Sequence, residues 1–196
     1  MRAPSDENNR LLGGGGRKGN SVVSISAKAA SERMAPEFSP EYEDMKVRAA
    51  ASNLDPETLL ATDYLNHFNE IVMLLEMVPD MPEIMEEVKA WQPKGYVDHF
   101  RDSTIADREL AMEAYDHVLP IYREPFEQTV EQLNNLIATS VGKLDQYIAA
   151  GDMGMLREQA TTMSRMLQRL LDTASGIIHG ATNTMDQNEI DAIIAN

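Results

Sequence analysis

Six side chains of metal-ligating type fall at helical spacing along this chain. Asp63, His67 and Glu70 stand at i, i+4 and i+7, on one face of one helix; Glu109, Glu113 and His117 stand at i, i+4 and i+8 on a later one. Two such helices face to face could hold iron or manganese, because those ions take carboxylate and imidazole ligands. Carboxylate-bridged di-metal bundles place a Glu-x-x-His on paired helices, and the chain contains no Glu-x-x-His. Four histidines (67, 99, 117 and 179) are too few for a histidine-rich oxygen carrier. The competing expectation is that these groups decorate solvated helix faces, with one histidine satisfied at a core edge. The metal-binding bundle therefore stands as an alternative, and no cofactor is assigned.

The second set with specific chemistry is "MDQNEIDAIIAN", residues 185–196. Asp186 can cap a helix that begins at Gln187, with Glu189 three residues on as the partner of a capping box. Ile190, Ile193 and Ile194 then form one small apolar face, with Asp191 opposite. A helix this short does not hold alone in water, because nucleation is too costly. The segment needs a surface, either a partner's groove or the chain's own bundle. Burial of each isoleucine is worth ~1.5–3 kcal/mol before ordering costs, which suits weak, reversible docking.

Nothing else points to catalysis. There is no G-x-S-x-G, no P-loop and no G-x-G-x-x-G between strand and helix, so the expected protein is not an enzyme. Thirteen methionines include Met73, Met77, Met81 and Met85 at steps of four, and Met153, Met155, Met163 and Met166 on the last long helix. Such stripes fill cores, or serve as adaptable surfaces of a helical chaperone that holds a client, a further alternative.

Helices must carry these residues. Asp55 as N-cap and Pro56 at the first position predict a helix from 56 to about 78, with Leu59, Leu60, Tyr64, Leu65, Phe68, Ile71, Val72 and Leu75 on its apolar face. Asp80 and Glu83 predict a capped second helix ending near Trp91, and "GYVDHF" a short helical turn. Ser103 or Thr104 would cap the next helix, ended by Pro120. A long helix over about 124–150 and a partner over about 153–178 follow, joined at "AGDMG". Short loops between long helices make antiparallel neighbours, so the fold class is all-α, an antiparallel helical bundle with a long C-terminal hairpin. The expected organisation is a disordered arm over 1–53, the bundle over 54–179 and a docking helix over 185–196; "GGGG" and the small polar residues of the arm show no sustained period.

Composition narrows the partners. The net charge is −15, distributed as +1 over residues 1–50 and −16 over 51–196. A body this acidic is repelled by phosphate backbones and by anionic membrane surfaces, so neither nucleic acid nor membrane is expected as a partner. Without cysteine there are no disulfides, thiolate metal sites or cysteine nucleophiles. No apolar run approaches the roughly 20 residues that span a bilayer, and the first residues lack a secretory h-region, so a cytoplasmic location is expected.

On its residues Gln187, Glu189, Ile190, Asp191, Ile193 and Ile194, "DQNEIDAII" resembles the Ser/Asp-Gln-x-Glu-Ile-Asp-x-Leu-Leu peptide that opens flagellar motor switch proteins, with isoleucine in place of the usual leucines. It is also similar to the segment that closes chemotaxis phosphatases of the CheZ type. The resemblance covers about a dozen residues and implies docking on a CheY-like response regulator receiver domain, in motility or two-component signalling. CheZ-type proteins also share the plan of helical hairpin, linker and closing helix. Their "DFQD-x-TGQ"-like stretch, whose Gln positions water against the aspartyl phosphate, is missing here. Gln128, Gln132 and Gln146 lie on the long helix outside that context. The resemblance thus implies a non-enzymatic adaptor, whose bundle contributes homodimerisation or a second partner surface.

Overall fold

The computed structural model describes residues 39–194. Of the arm expected over 1–53, residues 1–38 lie outside the described residues, as do Ala195, Asn196 and the side chains of Ile193 and Ile194. Among the described residues are eight α-helices and no strand, beyond one isolated antiparallel bridge between Leu54 and Ala61. The helices are α1 (Pro40–Ala49), α2 (Asn66–Met77), α3 (Met85–Ala90), α4 (Tyr96–Asp102), α5 (Arg108–Tyr115), α6 (Pro120–Ala150), α7 (Met153–Ile178) and α8 (Gln187–Ile194). The all-α bundle with a long antiparallel hairpin is the observed fold.

The hairpin α6–α7 is its spine. Gly151 closes α6 in the left-handed conformation, φ 70°, and its N–H and that of Asp152 bond back to the Ile148 and Tyr147 carbonyls. Asp152 then caps α7, its carboxylate accepting from Met155 N at 3.0 Å. Leu133, Leu136, Ile137 and Leu144 of α6 and Leu156, Met163, Leu167, Leu170 and Ala174 of α7 enter one core with the buried residues of α2. Pro120 does not end a helix but begins α6, where its missing N–H costs nothing, so the helix starts earlier than periodicity suggested.

Residues 39–53 belong to the bundle rather than to the arm. Ser39 Oγ accepts from Tyr42 N at 3.1 Å, and α1 runs with Glu41 and Glu43 in its first turn and Lys46 and Arg48 in its last. Its stripe has only three members, Tyr42, Met45 and Ala49, too few to stand out as a period, yet all are buried. The expected helix start at Pro56 is also displaced. Asp55 Oδ1 accepts from Glu57 N (2.9 Å) and Thr58 N (3.1 Å), but only one turn forms. Leu59 breaks it at φ 62°, and both Leu59 and Leu60 turn into the core. Thr58 Oγ1 donates to the Ile178 carbonyl at 2.6 Å, satisfying an end group of α7. That tertiary bond favours an isolated turn where the local pattern favours a helix.

Other caps are redirected in the same way. Asp80 pairs with Arg157 at 2.6 Å and leaves the start of the 3₁₀ turn Pro82–Ile84 without a side-chain cap. Ser103 Oγ donates to the Phe100 carbonyl at the end of α4, while the Asp107 carboxylate accepts from Asn53 N at 3.1 Å.

Candidate functional site

The six metal-type residues do not converge. Asp63 sits half-exposed in the 3₁₀ turn Thr62–Leu65, and Glu70 and Glu109 are exposed. Glu113 is held in a bidentate pair by Arg48 of α1, at 2.8 Å and 2.5 Å, which depresses its carboxyl below the usual range. His117 is half-buried. His67 is buried with its ring stacked on Trp91, centroids 4.6 Å apart, and its Nε2 accepts from Lys94 N at 3.2 Å. Desolvation, then the neighbouring His99 and Lys94, lowers its pKa to about 4, so the ring is neutral and its lone pair engaged. No three His, Asp or Glu among the described residues are placed to hold an ion. The reason is tertiary: each candidate with a strong partner has taken a different one.

His67 instead belongs to an aromatic wall. Tyr64 lies at its centre, 5.4 Å from Phe68, 5.3 Å from Tyr96, 5.6 Å from His99 and 5.7 Å from Phe126. The two central tyrosine hydroxyls have partners: Tyr64 donates to the Lys94 carbonyl at 2.8 Å, and Tyr96 accepts from Ala61 N at 2.9 Å. Trp91 Nε1 donates to the His67 carbonyl, making Trp91 a lid on this wall rather than a free anchor. The methionine stripes are likewise divided, with Met85, Met163 and Met166 buried and Met73, Met81 and Met153 exposed.

The docking candidate takes the shape its residues predict. Gly180, at φ 94°, ends α7, and Ala181 N closes onto the Gly176 carbonyl. A non-helical stretch leads to Asp186, whose Oδ1 accepts from Asn188 N at 2.7 Å. Helix α8 begins at Gln187 as expected. The capping box is only half made, because Glu189 reaches away to Arg169 Nη2 of α7 at 2.6 Å. Ile190 is 1% exposed, buried against the bundle. Gln187 donates to Asp191 Oδ1 at 2.8 Å and accepts from Gln132 Nε2 of α6 at 3.1 Å. Gln132 Nε2 also donates to the Met185 carbonyl at 3.2 Å.

The segment therefore rests on the chain's own hairpin. Gln187, Glu189 and Ile190 are brought to it, while Asp191 faces outward, bonded only within α8 among the described residues. The receiving side, Gln132 and Arg169, was not legible as such. Gln132 sits four residues before Leu136 in an apolar stripe, and a buried glutamine in such a stripe is the one signal that marked it. Gln128 and Gln146 are exposed. Among the described residues no helix is long and apolar enough to cross a membrane. No family model matches the chain, and no curated protein or solved structure matches it.

Proposed function

We propose that this protein is a helical adaptor that docks a CheY-like receiver domain through the segment 185–196, in motility or two-component signalling. The observation that carries this reading is the form of α8: a separately capped, eight-residue amphipathic helix behind a non-helical joint, attached to the bundle, among its described side chains, through the buried Ile190 and polar contacts from Gln187 and Glu189. Burial of Ile190 contributes ~1.5–3 kcal/mol, and an exposed ion pair such as Arg169–Glu189 ~0.2–1 kcal/mol. Ordering the backbone of such a helix costs ~1–2 kcal/mol per residue before its own hydrogen bonds offset it, which opposes these contacts and favours an exchangeable attachment. Asp186 and Asp191 remain exposed, as a docking peptide's acidic groups must be to meet a partner. Gln132 is 4% exposed beneath the segment, which argues against its positioning water on a partner's phosphate and favours an adaptor over a phosphatase.

The test titrates the full chain with a CheY-like receiver from the same organism, with and without beryllofluoride as the phosphoryl mimic. Saturable binding that tightens with beryllofluoride and is lost in Ile190→Asp is expected. Equal binding by wild type and Ile190→Asp, or none by either, would refute the reading.

A further inference from the structure

The side chains that the docking reading requires are also the ones the hairpin holds. Ile190 is buried, Glu189 is paired with Arg169, and Gln187 is bonded to Gln132. We propose that the α6–α7 groove around Gln132 and Arg169 is a binding site for the chain's own segment 185–194, forming a latch with which an external receiver must compete. This regulation rests on the docking reading, but the groove itself is argued independently.

Its construction is what points to a peptide. Gln132 lies on the core-facing side of α6 beside Leu133 and Leu136, and both hydrogen-bond acceptors of its Nε2 are in the segment: the Met185 carbonyl and Gln187 Oε1. One is a main-chain group just outside the helix and the other a side chain of its first turn, so the amide reads the approach of the chain as well as its sequence. Its Oε1 is buried and without a partner in the docked state. A buried glutamine costs stability unless it is satisfied, and the docked segment supplies both Nε2 acceptors in place of the water that an uncovered Gln132 would meet. On the α7 side, Arg169 is one of only nine cationic residues between 51 and 196, set against twenty-five acidic ones. Its guanidinium meets Glu189 at 2.6 Å, which fixes the register of an acidic helix on an otherwise acidic body. Ile190 supplies the apolar anchor between these two polar contacts.

A receiver that binds only the released segment sees an affinity reduced by the fraction of chains whose latch is open. Variants on the groove side leave the docking peptide untouched, so they should bind the receiver more tightly than wild type, by roughly three- to tenfold for a latch that is mostly closed. The experiment uses full-length Arg169→Glu and Gln132→Leu, the second replacing a buried amide by a side chain of similar size. Amide hydrogen exchange over 187–194 is measured alongside beryllofluoride-loaded receiver binding. Lost protection in both variants with tighter binding supports the latch. Unchanged protection, or loss of protection with receiver affinity no better than wild type, overturns it. If no form of the chain binds the receiver, the docking reading fails on its own. Exchange then decides the groove, with faster exchange in both variants supporting it and unchanged exchange overturning it.

Discussion

Acid should unfold this protein earlier than its carboxylates alone require, and His67 is the reason. In the folded chain burial holds its pKa at about 4, against 6.5 for the free side chain. Above pH 6.5 the ring is neutral in both states and contributes no pH dependence. Below it the unfolded chain takes up a proton that the folded chain refuses, so stability falls with pH until the folded pKa is reached. With about 1.36 kcal/mol per pH step, the full span has a ceiling of ~3.4 kcal/mol, of which ~2 kcal/mol is reached by pH 5. Although the residue is 8% exposed, its cover is the half-exposed Trp91, and water reaching the charged ring lowers the effective penalty; about 1–2 kcal/mol at pH 5 is expected. His99 is also depressed by desolvation and acts in the same direction. The lowered carboxyls of Asp102, Glu113 and Glu127, paired with Lys94, Arg48 and Arg123, act below this window. Their contributions are lost only as pH falls through and below the carboxylate range.

The perturbation that isolates the effect is His67→Gln, which keeps an acceptor for Lys94 N and does not titrate. Urea unfolding followed by circular dichroism, at about pH 7.5 and about pH 5, gives the pH dependence of each form. Wild type should lose ~1–2 kcal/mol more than His67→Gln over that interval. An identical loss in the two proteins, or a His67 ring seen by NMR to titrate at 6.5 or above, would refute the burial argument.

Further outcomes follow from other parts of the molecule. Met45→Ala should cost ~2–5 kcal/mol in urea unfolding, because the side chain is 2% exposed in the core; an independent arm over 40–49 would leave the unfolding midpoint unchanged. Gly151→Ala should cost roughly 1–2 kcal/mol by the same measurement, since no atom lies within 4 Å of the added methyl and only the left-handed backbone opposes it. Elemental analysis of protein purified without chelator should find no stoichiometric iron or manganese. One ion per chain, lost in His67→Gln, would restore the six-residue site. Ile190→Ala should speed amide exchange across 187–194 while leaving the global unfolding midpoint nearly unchanged, because Ile190 is the one buried side chain among the described residues of that helix.

The segment shows how much of a site can be legible in advance. Asp186 as the cap and the start at Gln187 follow from local spacing and appear in the structure, and of the expected face of Ile190, Ile193 and Ile194 the described member, Ile190, is buried. Glu189 was expected to complete a capping box and instead reaches Arg169, twenty residues away in sequence. Local pattern names the groups that need partners, but long-range packing chooses among the partners available. The metal-type residues fail for the same reason: spacing put Asp63, His67 and Glu70 on one helical face, yet the helix begins only at Asn66, and His67 found Trp91 and Lys94 before any second carboxylate face.

What the sequence determined by itself is what periodicity and end chemistry encode within a few turns. Those signals set the all-α class, the hairpin with its turn at Gly151 and Asp152, and a short capped helix that needs a surface. Tertiary structure alone decided the rest. Helix α1 exists because three spaced side chains found a core, the turn at Leu59 because Thr58 could cap the end of α7, and the resting place of the segment because Gln132 and Arg169 converge from two helices. Each of these depends on groups far apart in the chain, whose free energy of contact appears only when the bundle has brought them together.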